Sequence, residues 1–206
     1  MKLFLSSYFA GVAKLFLEFT QQTCVGKKVV FIPTASIVEY VTFYVGANKR
    51  ALTKLGMVIN ELEISTASPE EIKTKIEEAD YLFVEGGNTF YLLQELKRTG
   101  TDKLIVEHIN KGKVYIGVSA GSMIVAPDIE YVRLMDDPSV ASGLKSFSAL
   151  SVVNFCVVPH HNNFPFKKAA KRIIEEYSDT LDLRVIGNNQ AVVVDGETIE
   201  ILTINK

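Results

Sequence analysis

Short apolar runs alternate along the chain with longer stretches in which apolar residues recur every three or four positions. The first run covers residues 2–6, and the apolar side chains that follow it have the spacing of one helix face: Phe9, Val12, Ala13, Phe16 and Phe19. The same alternation predicts further strands and helices, with strands at 29–32, 57–64, 81–84 and 114–118 and helices at 38–55, 89–98 and 103–111. Strands that alternate with helices predict a parallel sheet covered by helices, an α/β sandwich of three layers.

Residues at the ends of these segments support the assignment. Pro33 ends the strand at 29–32, and Ser68 before Pro69 predicts a capped helix start. The alternation becomes weaker after residue 127. Residues 128–150 predict a long surface loop, and loops of that length are usually functional. Beyond it the pattern predicts a strand, a helix and a β-meander, at 152–158, at 167–177 and at 185–204 with a turn at Asp195-Gly196.

Length and charge narrow the classes of protein. The chain has 206 residues, which predicts one domain over 1–206. Its 22 basic and 24 acidic residues give a net charge of −2, which argues against a nucleic-acid partner. Two cysteines, Cys24 and Cys156, are too few for a disulfide scaffold. Polar residues interrupt the apolar N-terminus, and no apolar run approaches the length of about 20 that spans a membrane, so we expect a cytoplasmic protein without a membrane partner.

The segment Gly117-Val118-Ser119-Ala120-Gly121 fits the Gly-x-Ser-x-Gly pattern between a strand and a predicted helix at 120–126. In a nucleophile elbow the serine occupies a sharp turn, and the small neighbours let other backbone pass close by. The following helix places free amides near the serine, where they can stabilise an oxyanion. A tight turn with glycines that serve only packing is the structural alternative.

A serine nucleophile needs a base within hydrogen-bond reach. His160 and His161 follow a predicted strand and should reach the same sheet edge as Ser119, where the ligands of open α/β sheets gather. Neighbouring residues of an extended chain point to opposite sides, so only one of the two is expected to be the base. His108 lies in a predicted helix as a solvent-facing or half-buried residue. No carboxylate or cysteine has a convincing ligand spacing to the histidine pair, so we expect no metal and no cofactor.

A second glycine-rich turn, Glu85-Gly86-Gly87-Asn88-Thr89, also follows a strand and precedes a helix. Paired glycines let a ligand approach main-chain amides, which predicts a second oxyanion donor beside the amide of Ala120. The turn lacks the lysine of a phosphate loop and the full spacing of a dinucleotide site.

Four segments together resemble the peptidase E family, serine peptidases related to aspartyl dipeptidase and cyanophycinase. They are Phe31-Ile32-Pro33-Thr34, Gly86-Gly87-Asn88-Thr89-Phe90, Tyr115-Ile116-Gly117-Val118-Ser119-Ala120-Gly121-Ser122 and Pro159-His160. The resemblance spans nearly the whole chain, in order. It implies a fold related to class I glutamine amidotransferases and hydrolysis of short peptides in a cytoplasmic enzyme.

The resemblance also implies roles for individual residues. Ser119 matches the nucleophile, His160 the base, Gly87 and Ala120 the oxyanion donors, and Asn88 a residue beside the substrate. Asp136, in Met135-Asp136-Asp137-Pro138, matches an aspartate of the family and is predicted to orient His160.

Two departures from the family pattern leave alternatives open. Relatives carry an acidic residue after the late Ile-Gly, whereas this chain has Gly187-Asn188-Asn189-Gln190. Either Asp136 orients His160, an amide such as Asn189 does so, or the site is a Ser-His dyad. Residues 161–167 also lack the arginine that receives an acidic side chain in aspartyl dipeptidase, so a preference for N-terminal Asp is not expected.

Two other functions remain as rivals, a small esterase and a catalytically silent ligand-binding protein of the same fold. A homodimer formed through an exposed sheet edge is an open alternative to a monomer.

Overall fold

The computed structural model describes residues 1–204. Its strands are β1 (Lys2–Ser6), β2 (Lys28–Ile32), β3 (Val58–Glu61), β4 (Tyr81–Val84), β5 (Val114–Val118), β6 (Cys156–Val158), β7 (Leu183–Val185), β8 (Gln190–Asp195) and β9 (Thr198–Thr203). Its α-helices are α1 (Phe9–Thr20), α2 (Phe43–Lys54), α3 (Pro69–Glu78), α4 (Thr89–Thr99), α5 (Thr101–Asn110), α6 (Ala120–Met123) and α7 (Lys167–Tyr177). Short 3₁₀ helices cover Thr34–Ser36, Glu130–Leu134 and Pro138–Val140.

Seven strands form one sheet in the order β3-β2-β4-β5-β1-β8-β9. The first five are parallel, and the β8–β9 hairpin continues the sheet in antiparallel fashion beside β1. This mixed α/β architecture with a mostly parallel sheet confirms the predicted fold class. Because parallel strands end at one edge, the segments that follow β1, β2, β4 and β5 meet there.

The two faces of the sheet carry separate apolar layers. On β1, Leu3 and Leu5 point into one layer and Phe4 points into the other, as the alternation of side chains along a strand requires. Helices α1 and α2 cover the layer that contains Phe4, and α3 to α7 cover the opposite layer. The sheet is therefore enclosed on both sides, which explains why its central strands are almost continuously apolar.

Several predicted elements are shorter than the sequence pattern suggested. The helix predicted over 38–55 begins only at Phe43, after an exposed loop. The strand predicted over 57–64 is limited to Val58–Glu61. The predicted helix 120–126 ends at Met123, and the predicted strand 152–158 starts at Cys156. Residues 124–126 and 150–152 instead bond to each other, as in the 2.9 Å bond from Val152 N to Val125 O.

Two further predictions about the C-terminal half were wrong. β7 does not belong to a meander with β8 and β9, because it pairs in parallel with β6 in a separate two-stranded sheet. The loop at 128–150 does not lie wholly on the surface. Ile129, Tyr131 and Val132 are buried, and the Tyr131 hydroxyl donates to Val157 O at 2.9 Å.

Within residues 1–204, no helix is both long enough and apolar enough to cross a membrane.

Candidate active site

The turn between β5 and α6 holds Ser119 in a strained conformation. Its φ of 47° and ψ of −106° lie outside the regions that residues with a side chain favour. The flanking glycines are required by packing, since a Cβ on Gly117 would lie 2.5 Å from Gly121 O and one on Gly121 would lie 2.1 Å from Val84 O. The backbone therefore has the sharp strand-to-helix turn that the sequence predicted.

Hydrogen bonds attach this turn to the end of β1. The amide of Ser119 and the hydroxyl of Ser122 both donate to the carbonyl of Ser6, each at 2.9 Å. These bonds hold the serine at the carboxyl edge of the sheet with its side chain partly exposed.

His160 lies beside Ser119, in the loop that follows β6. The Ser119 hydroxyl donates to His160 Nε2 at 2.9 Å. The main-chain amide of His160 donates to the Ser7 hydroxyl at 3.0 Å, and the ring of Phe166 stacks on the imidazole with a centroid distance of 4.9 Å. Ser7 and Phe166 were not predicted as site residues, and no motif marks them.

The other ring nitrogen of His160 bonds to Asn188. Nδ1 donates to Asn188 Oδ1 at 3.0 Å, which leaves Nε2 free to accept from Ser119. The amide predicted for this position was that of Asn189, but Asn189 Nδ2 donates to Ile204 O at 3.3 Å instead. The sequence signal for Asn188 was its place directly after Ile186-Gly187, where the resemblance to the peptidase E family implies an acidic residue.

Burial lowers the pKa of His160 below its usual 6.5, and the hydrogen bond to Asn188 opposes this effect. The imidazole is therefore neutral at pH 7 and can take a proton from the serine.

Asp136 was predicted to orient His160, and the structure corrects this prediction. Its carboxylate accepts from the amide of Thr89 at 2.9 Å and from the Thr89 hydroxyl at 2.6 Å. Burial raises the pKa of Asp136 to about 6, and the bonds from Thr89 act in the opposite direction. The loop at 128–150 folds inward against the start of α4, which places Asp136 on Thr89, and the acceptor beside His160 Nδ1 is Asn188.

The turn from Gly86 to Thr89 has one amide that the protein does not use. The amide of Gly86 donates to Glu85 Oε1 at 2.8 Å, that of Asn88 to Ala35 O at 2.9 Å, and that of Thr89 to Asp136. Among the described residues, the amide of Gly87 has no acceptor, and the same holds for the amide of Ala120.

These two free amides belong to two turns that meet at Ser119. Ala120 is the residue after Ser119, and a Cβ on Gly86, the residue before Gly87, would lie 3.1 Å from Ser119 Cβ. Gly87 has a φ of 137°, and a Cβ there would lie 2.1 Å from Ala35 O, so only glycine fits. The arrangement can receive negative charge that develops next to the serine.

The side chain of Asn88 is engaged within the protein. Its Oδ1 accepts from Tyr91 N at 3.0 Å, which caps α4, and its Nδ2 donates to Asp137 O at 2.9 Å. A contact between Asn88 and substrate stays a prediction.

The remaining histidines are not part of this arrangement. His161 follows His160 in the chain, and its amide donates to Ile186 O at 3.0 Å. His108, predicted to be at least half exposed, is buried, and its Nε2 lies 3.2 Å from Val114 O. Residues 1–204 contain no cluster of three or more His, Cys, Asp or Glu side chains suited to a metal ion.

A serine in a strained turn, bonded to a neutral histidine at the carboxyl edge of a mostly parallel sheet, defines a hydrolase of the serine type. The sequence profile of Peptidase family S51 matches residues 3–202, and the chain belongs to this family. It is a serine-type peptidase, and the resemblance to peptidase E is confirmed.

Individual relatives agree with this assignment. The chain is 53% identical over 197 residues to an uncharacterized peptidase of Pasteurella multocida, and the aligned residues cover 96% of this chain and 95% of that protein. It is 30% identical over 190 residues to the peptidase E of Shewanella oneidensis, covering 89% of this chain and 77% of that protein. The crystal structure of a protein assigned as a peptidase E from Listeria monocytogenes superposes with a TM-score of 0.95 at 48% identity, covering 99% of this chain and 98% of that one.

Proposed function

We propose that this peptidase hydrolyses short peptides by acyl transfer to Ser119, with His160 as general base. The observation that carries the proposal is the 2.9 Å hydrogen bond from Ser119 Oγ to the unprotonated nitrogen of a partly buried imidazole. A serine hydroxyl is a weak nucleophile at neutral pH unless such a base removes its proton.

In this mechanism Ser119 Oγ attacks the carbonyl carbon of the scissile peptide bond while its proton moves to His160 Nε2. The oxyanion accepts hydrogen bonds from the amides of Gly87 and Ala120, which have no other acceptor in the described chain. The tetrahedral intermediate then breaks its bond to nitrogen, and His160 gives the proton to the leaving amine. Water attacks the acyl-enzyme by the same route and releases the second product.

Asn188 holds the imidazole in the required tautomer during these steps. Its oxygen accepts the Nδ1 proton at 3.0 Å, so Nε2 faces Ser119 without a proton. An amide carries no negative charge, and it stabilises the imidazolium less than a carboxylate would.

Specificity for short peptides rests on the resemblance to peptidase E. The segment 161–167 supplies lysine but no arginine near His160. Lysine lacks the planar fork that binds a carboxylate through two hydrogen bonds, so we do not expect selectivity for N-terminal Asp.

The test is labelling of wild-type and Ser119→Ala protein with a fluorophosphonate, read by intact mass, together with digestion of a dipeptide and tripeptide library. An adduct and peptide cleavage that both disappear in Ser119→Ala support the proposal. Ser146→Ala, at an exposed serine whose hydroxyl donates to Ser148 Oγ, is the matched control and should behave like wild type. Cleavage of esters but of no peptide would favour a small esterase, and an unlabelled, inert wild type would favour a ligand-binding protein.

A further inference from the structure

Glu85 is a carboxylate buried directly behind the candidate oxyanion turn. Its side chain has 0% exposure and stands at the end of β4, one residue before Gly86. Lys49 attracts it at a distance but forms its ion pair with Glu61. A buried carboxylate without an ion pair is costly, so its hydrogen bonds determine whether the arrangement is tolerated.

Those hydrogen bonds connect two helices to the turn. Asn48, which is also 0% exposed, donates from Nδ2 to both Glu85 oxygens at 3.0 Å. Its Oδ1 accepts from the amide of Ala10 in the first turn of α1 at 2.9 Å. Because that amide can only donate, the orientation of the Asn48 side chain is determined, and its NH₂ group must face Glu85.

The last hydrogen bond of this network fixes the amide of Gly86, the residue before Gly87. Gly86 N donates to Glu85 Oε1 at 2.8 Å. The Gly86 amide lies in the peptide unit of residues 85 and 86, and the Gly87 amide lies in the next unit, joined to it at the Cα of Gly86. The bond from Gly86 N fixes the first of these units, and the bond from Asn88 N to Ala35 O at 2.9 Å fixes the unit that follows the Gly87 amide. The unit that carries the Gly87 amide is therefore held at both of its ends.

We propose that Glu85 and Asn48 are positioning residues that aim the Gly87 amide at the oxyanion formed beside Ser119. This inference rests on the proposed function. It adds that catalysis requires the hydrogen-bond donors and acceptors of Asn48, Glu85 and Gly86 to match. The proposed role requires a hydrogen-bond acceptor at residue 85 that faces Gly86 N. It also requires that a donor on one of residues 85 and 48 face an acceptor on the other. The negative charge on residue 85 is not itself required.

Two isosteric substitutions, made singly and together, can break and restore this hydrogen-bond pattern. Glu85→Gln leaves one oxygen for two donors, so its NH₂ group must face either the Gly86 amide or the Asn48 NH₂ group. Asn48→Asp places two carboxyl groups against each other in a buried site. In the double variant, the new amide at position 85 can accept from Gly86 N and donate to the new carboxylate at position 48. That carboxylate still has an oxygen to accept from Ala10 N.

We expect Glu85→Gln to lower kcat by roughly ten- to a hundredfold with little change in KM, less than the hundred- to thousandfold typical for loss of a whole oxyanion donor. The double variant should recover most of the lost kcat. Each rate is divided by the concentration of active sites titrated with the fluorophosphonate, so that unfolded protein does not contribute. Glu95→Gln changes another buried glutamate, on α4, and is the matched control, with kcat as in wild type.

The amide signals of Gly86 and Gly87 in ¹⁵N–¹H spectra provide a readout that needs no turnover. They should move in Glu85→Gln and return toward wild-type positions in the double variant. Unchanged kcat and unchanged signals in Glu85→Gln, or a double variant no better than either single one, would overturn the proposal. If the wild type is inert and the signals still move and return, the hydrogen-bond arrangement stands and the proposed peptidase mechanism fails.

Discussion

His160 donates from Nδ1 to Oδ1 of Asn188 at 3.0 Å, so an uncharged amide occupies the place where a carboxylate would stabilise an imidazolium. The amide orients the ring and selects the tautomer, but it adds no electrostatic attraction when the ring becomes charged. The rate of the chemical step should therefore respond to a change of charge at this position.

We expect Asn188→Asp to raise kcat/KM by about tenfold or more, because a carboxylate beside Nδ1 stabilises the imidazolium that forms when the ring takes the serine proton. The pKa of His160 should rise, which moves the acidic limb of the pH–rate profile upward. Steady-state rates and NMR titration of the His160 ring test both effects. Asn189→Asp, at the exposed neighbour, is the control and should change neither quantity.

Asp136 provides a test of the corrected site. Asp136→Asn can still accept both bonds from Thr89, so kcat should stay within about tenfold of wild type, far from the 10⁴-fold loss of a triad aspartate. Asp136→Ala leaves the Thr89 amide unpaired and should lower the free energy of unfolding by about 1–3 kcal/mol. Urea unfolding and steady-state kinetics measure the two effects. A loss in Asp136→Asn as large as that in Ser119→Ala would restore Asp136 to the catalytic machinery.

Gly87→Ala should lower activity because it displaces the turn that carries the Gly87 amide. A Cβ there would lie 2.1 Å from Ala35 O, so the turn must move and carry the free amide away from Ser119. We expect kcat to fall by about a hundred- to a thousandfold. Gly112→Ala is the control, since Gly112 also has a positive φ of 77° but open space around its Cβ position. That variant should lose some stability and keep its activity, measured per titrated active site.

The buried carboxyl group of Glu85 should make stability depend on pH. Burial raises its pKa from 4.5 to about 7, so the folded state holds its proton over that range while the unfolded state releases it. The contribution to stability is present below pH 4.5 and is lost as pH rises through 7. Relative to Glu85→Gln, the wild type should lose about 3 kcal/mol of unfolding free energy across this window.

Urea unfolding of both proteins at several pH values between 4.5 and about 7 measures that difference, and Glu95→Gln serves as the comparison. A wild-type curve parallel to that of Glu85→Gln would show that Glu85 titrates normally.

The contribution of local sequence is clearest at Ser119 and at the central strands. The apolar run at 114–118 followed by Gly-x-Ser-x-Gly predicted both the buried strand and the sharp turn, because strand burial and tight turns depend on residues close together in the chain. The helix cap at Ser68 was predicted for the same reason, and Ser68 Oγ accepts from Glu71 N at 3.1 Å. Peptidase family membership also follows from motifs that the sequence displays in order.

Long-range contacts decided the rest of the site. Asn188 reaches His160 only because β7 pairs in parallel with β6, which brings the segment after Val185 beside the segment after Val158. Asp136 binds Thr89 because the loop at 128–150 buries its apolar residues and turns inward. Strand pairing and loop burial depend on residues distant in sequence, so the pattern along the chain identified the serine and the histidine, and the tertiary structure alone selected their hydrogen-bond partners.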